Sequence, residues 1–188
     1  MTQVIGFNGS PRTTGNTAVL METLLEGAAA AGAETSLVSL NAVTMRGCQA
    51  CYRCKTTGAC AEKDEMTALY PRIDAADVVV LGGPIYMGSI TGQLKLFIDR
   101  LYPYLNSDFT SRMAPGKTAV LIITQGNPQT ASYEAHTQML TGVLKVLGFT
   151  HVEELVVAAG VNNSGEVAND TELMQRMRDL GAQLARKA

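Results

Sequence analysis

The sequence predicts an α/β protein built on one doubly wound, five-stranded parallel sheet with helices on both faces. Three observations carry this. Strand-type and helix-type stretches alternate along the whole chain. Two strand stretches, Val78-Val79-Val80-Leu81 and Val120-Leu121-Ile122-Ile123, are continuous apolar runs, the pattern of strands covered on both faces. The chain also opens with a short strand, a turn rich in Gly, Ser and Thr, and a helix. A length of 188 residues with 46% hydrophobic and 17% charged content suits one globular domain over residues 1–188. Internal repeats, low-complexity tracts and linkers are absent from it.

In order, the first strand is expected at 3–7 and the first helix at 16–31, closed by Gly32 as a left-handed cap. The second strand is 34–40. A long connection, 41–62, holds all the cysteines, and irregular stretches of that length in compact domains usually serve function. A short helix over 64–73 follows, with Asp64 as its cap and as negative charge at its start. The third strand, 77–81, ends in the loop Gly82-Gly83-Pro84-Ile85-Tyr86-Met87-Gly88. The third helix spans 91–105 with a break near Pro103, and 106–116 is loop. The fourth strand, 118–124, is followed by a helix over 131–147 closed by Gly148. The last strand is 152–158, then come a loop at 160–165 and a helix over 170–186 with basic residues in its last turn.

A net charge of −2 leaves no basic footprint for nucleic acid and no polybasic membrane patch. No apolar run approaches the ~20 residues that span a bilayer. With no basic and apolar leader before the first strand, the expected compartment is the cytoplasm.

The first turn, Gly6 to Thr17, is the stretch around which the chain is organised. Ser10, Thr13, Thr14, Asn16 and Thr17 offer donors and Arg12 a guanidinium, at a helix end whose N–H groups lack partners and whose dipole is positive. Glycines there are expected to supply positive φ and close ligand approach. A plain N-cap by Asn16 or Thr17 explains the helix start with one side chain, whereas this loop has five and an arginine; a phosphate site explains more of it. The loop has no P-loop lysine and no G-x-G-x-x-G, which argues against an NTPase and a dinucleotide fingerprint.

In the flavodoxin-like order 2-1-3-4-5, ligands sit beyond the carboxyl ends of the strands at the switch in order. The loops after the first, third and fourth strands then form one pocket. Gly82 to Gly88 offers backbone groups and the apolar Ile85, Tyr86 and Met87 to a flat heterocycle, although a glycine–proline surface turn accounts for the same residues. Thr124, Gln125 and Asn127 are polar, and simple turn chemistry accounts for them as well.

Three stretches make a specific resemblance: Gly9-Ser10-Pro11-Arg12 with Gly15-Asn16-Thr17, Gly82-Gly83-Pro84-Ile85-Tyr86, and Gly92 to Arg100. Over nearly its whole length the chain resembles the NAD(P)H-dependent FMN reductases of the flavodoxin-like superfamily. The resemblance implies that Ser10, Arg12, Asn16 and Thr17, with Thr14 beside them, hold the FMN phosphate. It implies that Pro84, Ile85, Tyr86, Met87 and Gly88 line the isoalloxazine, and that Thr124, Gln125, Gly126 and Asn127 close its other edge. Lys95 to Arg100 is expected to be structural. One phosphate site and one flat pocket suit a mononucleotide, and the flavin itself carries the hydride chemistry, so no catalytic side chain is expected. His136 is read as an ordinary helix residue and His151 as a strand-flanking one.

The spacing Cys48-x2-Cys51-x2-Cys54-x5-Cys60 suits thiolates converging on a four-iron cluster. It also resembles the compact motif of the iron–sulfur flavoproteins, which pass single electrons beside FMN. Arg46, Arg53, Lys55 and Lys63 are expected to lower the thiol pKa values. Free thiols, zinc and a reversible disulfide remain alternatives.

The reading is an FMN-dependent oxidoreductase that takes electrons from NAD(P)H to a flavin, quinone or other small acceptor. The alternatives are an iron–sulfur flavoprotein and a flavodoxin-type carrier with a protein redox partner. Carriers of that kind tend to be strongly acidic, which a net charge of −2 is not. By resemblance the chain is a homodimer or homotetramer, with the helices flanking the flavin as the contact.

Overall fold

A computed structural model describes residues 1–187. The strands are β1 (Gln3–Asn8), β2 (Glu34–Ser39), β3 (Val78–Tyr86), β4 (Ser89–Ile90), β5 (Thr118–Gln125) and β6 (His151–Ala159). The helices are α1 (Asn16–Ala30), α2 (Arg53–Thr57), α3 (Tyr70–Ala75), α4 (Gly92–Asp99), α5 (Glu134–Leu147) and α6 (Thr171–Lys187). Five strands pair in parallel in the order β2-β1-β3-β5-β6, the expected order, and the two-residue β4 adds a sixth strand antiparallel to β3. The chain goes from β1 outward to β2, then crosses back to β3, so the switch in direction lies between β1 and β3.

Side chains on a strand alternate between faces, and the two cores follow that period. Val4, Val78, Val80, Val120 and Ile122 pack with Leu20, Leu24, Met177 and Leu184 of α1 and α6. Ile5, Phe7, Val79, Leu81, Leu121 and Ile123 pack with Ile73, Leu94, Phe97, Leu140 and Leu144 of α3, α4 and α5. The apolar runs are continuous because both sets are covered. Phe7 and Phe97 stack across the second core, ring centroids 4.3 Å apart.

On the first face, α1 and α6 meet backbone to backbone. A Cβ on Gly27 would collide with the Arg178 carbonyl, and one on Gly181 with the Leu24 carbonyl. Gly32 and Gly148 close α1 and α5 in the left-handed conformation, φ 94° and 110°, as expected.

Several boundaries differ from the expectation. The third strand does not stop at Leu81. Gly82, Gly83 and Pro84 continue its pairing with Ile122, Ile123 and Thr124 of β5. Pro84 is tolerated because β1 has ended: the Gly82 carbonyl receives the last bond from that side, from the Gly9 N–H at 2.7 Å. The third predicted helix ends at Asp99, and Pro103 starts a separate 3-10 turn over Tyr102–Tyr104. The expected helix over 64–73 is a 3-10 turn, Glu65–Ala68, followed by α3, which has Pro71 in its first turn. The long cysteine connection contains a short helix, α2. Among the described residues no helix is long and apolar enough to cross a membrane.

Candidate functional site

The loop after β1 is pinned to the third strand and fourth helix. Asn8 Oδ1 accepts the Ser10 N–H at 2.9 Å, and Thr91 Oγ1 donates to the Gly9 carbonyl at 2.8 Å. Gly15 caps α1 in extended conformation without a side-chain cap bond. The first bond closing the helix is Val19 N–H to the Gly15 carbonyl. The N–H groups of Asn16, Thr17 and Ala18 therefore face out of the helix end, which is the arrangement an anion uses. The plain N-cap by Asn16 or Thr17 is not what forms.

Those two side chains are used for tying loops together. Thr17 Oγ1 lies 2.9 Å from Thr124 Oγ1, both buried, so the end of β5 is bonded to the first turn of α1. Asn16 Nδ2 donates to the Asn163 carbonyl at 2.9 Å, and Asn16 Oδ1 accepts the Val167 N–H at 3.3 Å. Arg12 Nη1 donates to the Asn162 carbonyl at 3.2 Å, and Ser164 Oγ donates to the Thr14 carbonyl at 2.8 Å. Ser10 is buried, while Arg12 and Thr14 are exposed. The segment Asn162-Asn163-Ser164 was missed as part of the site. Its signal was a polar Asn/Ser/Gly run directly beyond the carboxyl end of the last strand.

The glycines serve a different purpose from the one expected. Gly9, Gly15, Gly82 and Gly83 are not at positive φ. A Cβ on Gly82 would strike Met21 Sδ and lie 2.9 Å from Thr17 Cγ2, and one on Gly9 would lie 2.6 Å from Leu94 Cβ. These glycines let α1 and α4 close on the sheet, which brings the first turn of α1 beside β3.

Beyond Pro84, β3 leaves the sheet and turns back as a hairpin. Met87 and Gly88 occupy the two turn positions at φ 48° and 81°, as a two-residue turn of this hand needs. Ile85 is half-buried, while Tyr86, Met87 and Gly88 are exposed. His136 is not a bystander on its helix. Its Nε2 lies 3.3 Å from Ser89 Oγ and accepts the Ile90 N–H at 3.4 Å, so α5 holds the hairpin. On the other edge Gln125 Nε2 donates to the Asn127 and Gln129 carbonyls at 3.0 and 2.7 Å, and Gly126 has no room for a Cβ beside Asn162. Three strand ends thus converge on one side of the β1/β3 switch, with a fourth, from β6, clasping them.

The cysteines form a second centre. All four line one small void of about 20 Å³, with Asp99, Arg100 and Tyr102. Cys48 and Cys51 are exposed, Cys60 is half-buried and Cys54 is buried. Ala50 and Tyr52 take left-handed φ of 50° and 57°, a strained pair flanking Cys51 that turns the loop back on itself. Helix α2 is anchored from outside. Lys55 Nζ donates to the Tyr102 and Leu105 carbonyls at 3.0 and 2.7 Å and lies 3.3 Å over the Tyr102 ring. Arg112 Nη1 and Nη2 cap the Cys54 and Lys55 carbonyls at 2.7 and 3.0 Å.

The expected lowering of thiol pKa values does not hold at Cys54. Burial pushes this thiol up, Lys55 offsets part of the shift, and the three other cysteines add to it. Arg46 is turned away in an exposed pair with Glu62.

Beneath the loop lies a buried ion pair. Arg100 Nη1 and Nη2 reach Asp64 Oδ2 and Oδ1 at 2.6 and 3.0 Å, and Nη1 also donates to the Arg46 carbonyl at 2.7 Å. Asp64 caps the following turn as expected, accepting the Met66 N–H, and hydrogen bonding from Arg100 holds its carboxyl below the usual carboxylate range. Four soft thiol donors and a buried cation suit a thiolate-ligated centre in kind. Among the described residues, however, no three His, Cys, Asp or Glu side chains stand close enough together to hold a metal ion.

An iron–sulfur flavoprotein of Methanocaldococcus jannaschii is 30% identical over 184 residues, covering 97% of this chain and 95% of that protein. One from Archaeoglobus fulgidus is 29% identical over 184 residues, covering 97% and 79%. The solved NAD(P)H:quinone oxidoreductase from Methanothermobacter marburgensis shares the fold, with a TM-score of 0.77 at 18% identity over 100% of this chain and 98% of that one. The description that matches residues 2–164 is NADPH-dependent FMN reductase, and the chain belongs to that family of oxidoreductases.

Proposed function

We propose that this protein is an FMN-dependent NAD(P)H oxidoreductase with a thiolate-ligated iron–sulfur centre on its 48–60 loop, delivering electrons to a flavin, quinone or other small acceptor. FMN supplies hydride acceptance and electron release when bound. Everything else falls to the chain. Ser10, Arg12, Thr14, Asn16 and Thr17, with the free N–H groups of the first turn of α1, hold the phosphate. Pro84 to Gly88 line the isoalloxazine, and Thr124 to Asn127 close its other edge. The Thr17–Thr124 bond at 2.9 Å is the observation that carries this reading, because it fixes the phosphate turn against the β5 edge of the pocket.

Cys48, Cys51, Cys54 and Cys60 are the ligands for a four-iron cluster. Their spacing and their place around one void support it; as the loop lies no three of the described side chains stand close enough together to hold a metal, so ligation requires the loop to rearrange. A larger apolar cavity of about 670 Å³ abuts the same loop, lined by Tyr102, Leu105, Phe109, Met139, Val143 and Val146 among others. Met139, Val143 and Val146 form an exposed stripe at helical spacing on α5. A second copy of the chain covers this groove in our reading, giving a homodimer.

Protein purified under anaerobiosis, titrated with FMN and then given NADH or NADPH with a quinone, tests the proposal. Bound flavin bands, iron and sulfide near four per chain and quinone-dependent nicotinamide oxidation are expected. Failure to bind FMN refutes the flavin site, and absence of iron refutes the cluster. A Val143→Asp variant is expected to elute as a monomer; a wild-type protein already monomeric by light scattering removes the dimer.

A further inference from the structure

We propose that His136 is a positioning residue for the flavin: its neutral imidazole, with the proton on Nδ1, holds the 85–90 hairpin closed over the ring pocket. The inference rests on reading that hairpin as the wall that lines the isoalloxazine.

The hairpin needs a tether. β3 pairs with β5 only as far as Pro84 and Thr124, so Ile85 and Tyr86 lie beyond that pairing. They pair instead with the two residues of β4, Ile85 with Ile90 and Tyr86 with Ser89. A two-stranded ribbon of that length is marginal on its own. Its turn residues are exposed, and Met87 sits at a left-handed φ of 48° that a methionine does not favour. Ile90 packs into the core and anchors the base of the ribbon. Apolar packing is non-directional, so it leaves the angle of the tip open. Among the described residues, the side chain that hydrogen-bonds to the ribbon from outside it is His136, whose Nε2 meets Ser89 Oγ at 3.3 Å and the Ile90 N–H at 3.4 Å.

The Ile90 N–H decides the state of the ring. In a hairpin closed by two residues, the pair flanking the turn is the hydrogen-bonded one, and the next pair turns its N–H groups outward. Ile90 belongs to that next pair and is 5% exposed, so its N–H faces away from β3 and away from water. A backbone N–H only donates. Nε2 therefore presents its lone pair and the ring proton is on Nδ1. An imidazole carrying a proton on Nε2 would set N–H against N–H. Packing alone accounts for a half-buried ring on α5, but not for its meeting an outward-facing N–H. Where only the closed hairpin grips the ring, the apparent dissociation constant for FMN rises as the closed fraction falls.

His136→Leu removes the acceptor, and His136→Gln returns one, since the amide oxygen has about the reach of Nε2. Fluorescence-quenching titrations with FMN, and amide hydrogen exchange of the flavin-free proteins, read both variants against wild type. His136→Leu is expected to bind FMN about tenfold more weakly, as when the closed fraction falls to about a tenth, and to exchange the Ile90 amide about tenfold faster. His136→Gln is expected to restore both. A His136→Leu protein with wild-type FMN affinity overturns the inference alone. A His136→Gln protein as weak as His136→Leu overturns it too, because the acceptor is then not what matters. Wild type that does not bind FMN overturns the flavin-site reading and this inference together. Should the variants fail to fold, the imidazole nitrogen shifts of wild type decide by NMR: a proton on Nδ1 supports the clasp, and a proton on Nε2 overturns it.

Discussion

Replacing Thr17 with valine separates what the phosphate turn contributes to stability from what it contributes to binding. Thr17 and Thr124 are 1% and 4% exposed, and their hydroxyls face each other at 2.9 Å. Thr17→Val keeps the shape and leaves Thr124 Oγ1 buried without that partner. The full desolvation cost then applies, about 1–3 kcal/mol, because water does not replace the lost bond at that burial. For a chain of this size that is a fall in Tm of roughly 2–4 °C per kcal/mol. Adding Thr124→Val removes the orphan and is expected to restore most of the loss, since replacing both partners with apolar groups is nearly neutral. Binding behaves differently. A hydroxyl can accept from Thr124 while donating to phosphate, so in the proposed site Thr17→Val removes one charge-assisted bond whether or not Thr124 is changed. That is worth about 1.5–3 kcal/mol, roughly tenfold to a hundredfold in FMN affinity. Thermal melts of flavin-free protein and fluorescence-quenching titrations with FMN measure the two effects. A double variant as unstable as the sum of the singles refutes the hydrogen-bond argument. An FMN affinity unchanged by Thr17→Val refutes the placement of the phosphate.

Three further outcomes are expected. The Asp64 carboxyl is held below its usual range by Arg100, so its contribution to stability is present above the unfolded value near 3.8 and is lost as pH falls through the folded value. Acid titration of Asp64→Asn, followed by circular dichroism, should lack that component; an identical acid limb argues against it. Gly181→Ala pushes a methyl into the Leu24 carbonyl and forces α6 off α1. The overpacking is expected to cost about 3 kcal/mol, which calorimetry reads as a drop of roughly 6–12 °C in Tm. Met87→Asn puts a residue tolerant of left-handed φ where exposed Met87 sits at 48°, and should stabilise the hairpin by about 0.5–1 kcal/mol. A lower midpoint in urea would contradict that.

Local patterns were readable from the chain, and long-range ones were not. Val78 to Leu81 announced a strand covered on both faces, and the structure sorts its alternate residues into two cores. Cysteines spaced within one loop announced a shared pocket because their proximity is fixed by the loop itself. Gly82 and Gly83 read as turn punctuation, since nothing nearby in sequence shows that Met21 and Leu94 will occupy the missing Cβ positions. Arg100 was legible as structural. Its burial on Asp64 depends on a carboxylate 36 residues earlier. Left-handed Ala50 and Tyr52 carry no signal, because neither residue type favours that conformation.

The clasp between Asn16 and the segment after β6 has a consequence for synthesis. Asn16 emerges among the first residues of the chain, yet its partners lie 147 and 151 positions later. Until β6 has paired with β5 the loop after β1 has no rim on that side, and Asn16, buried in the finished fold, faces solvent. If the proposed phosphate site is right, a growing chain on the ribosome lacks the complete cofactor grip through most of its translation. The N-terminal loop gains its full set of contacts only when the C-terminal quarter arrives, so on the proposed function flavin capture reports a finished sheet rather than a partial one.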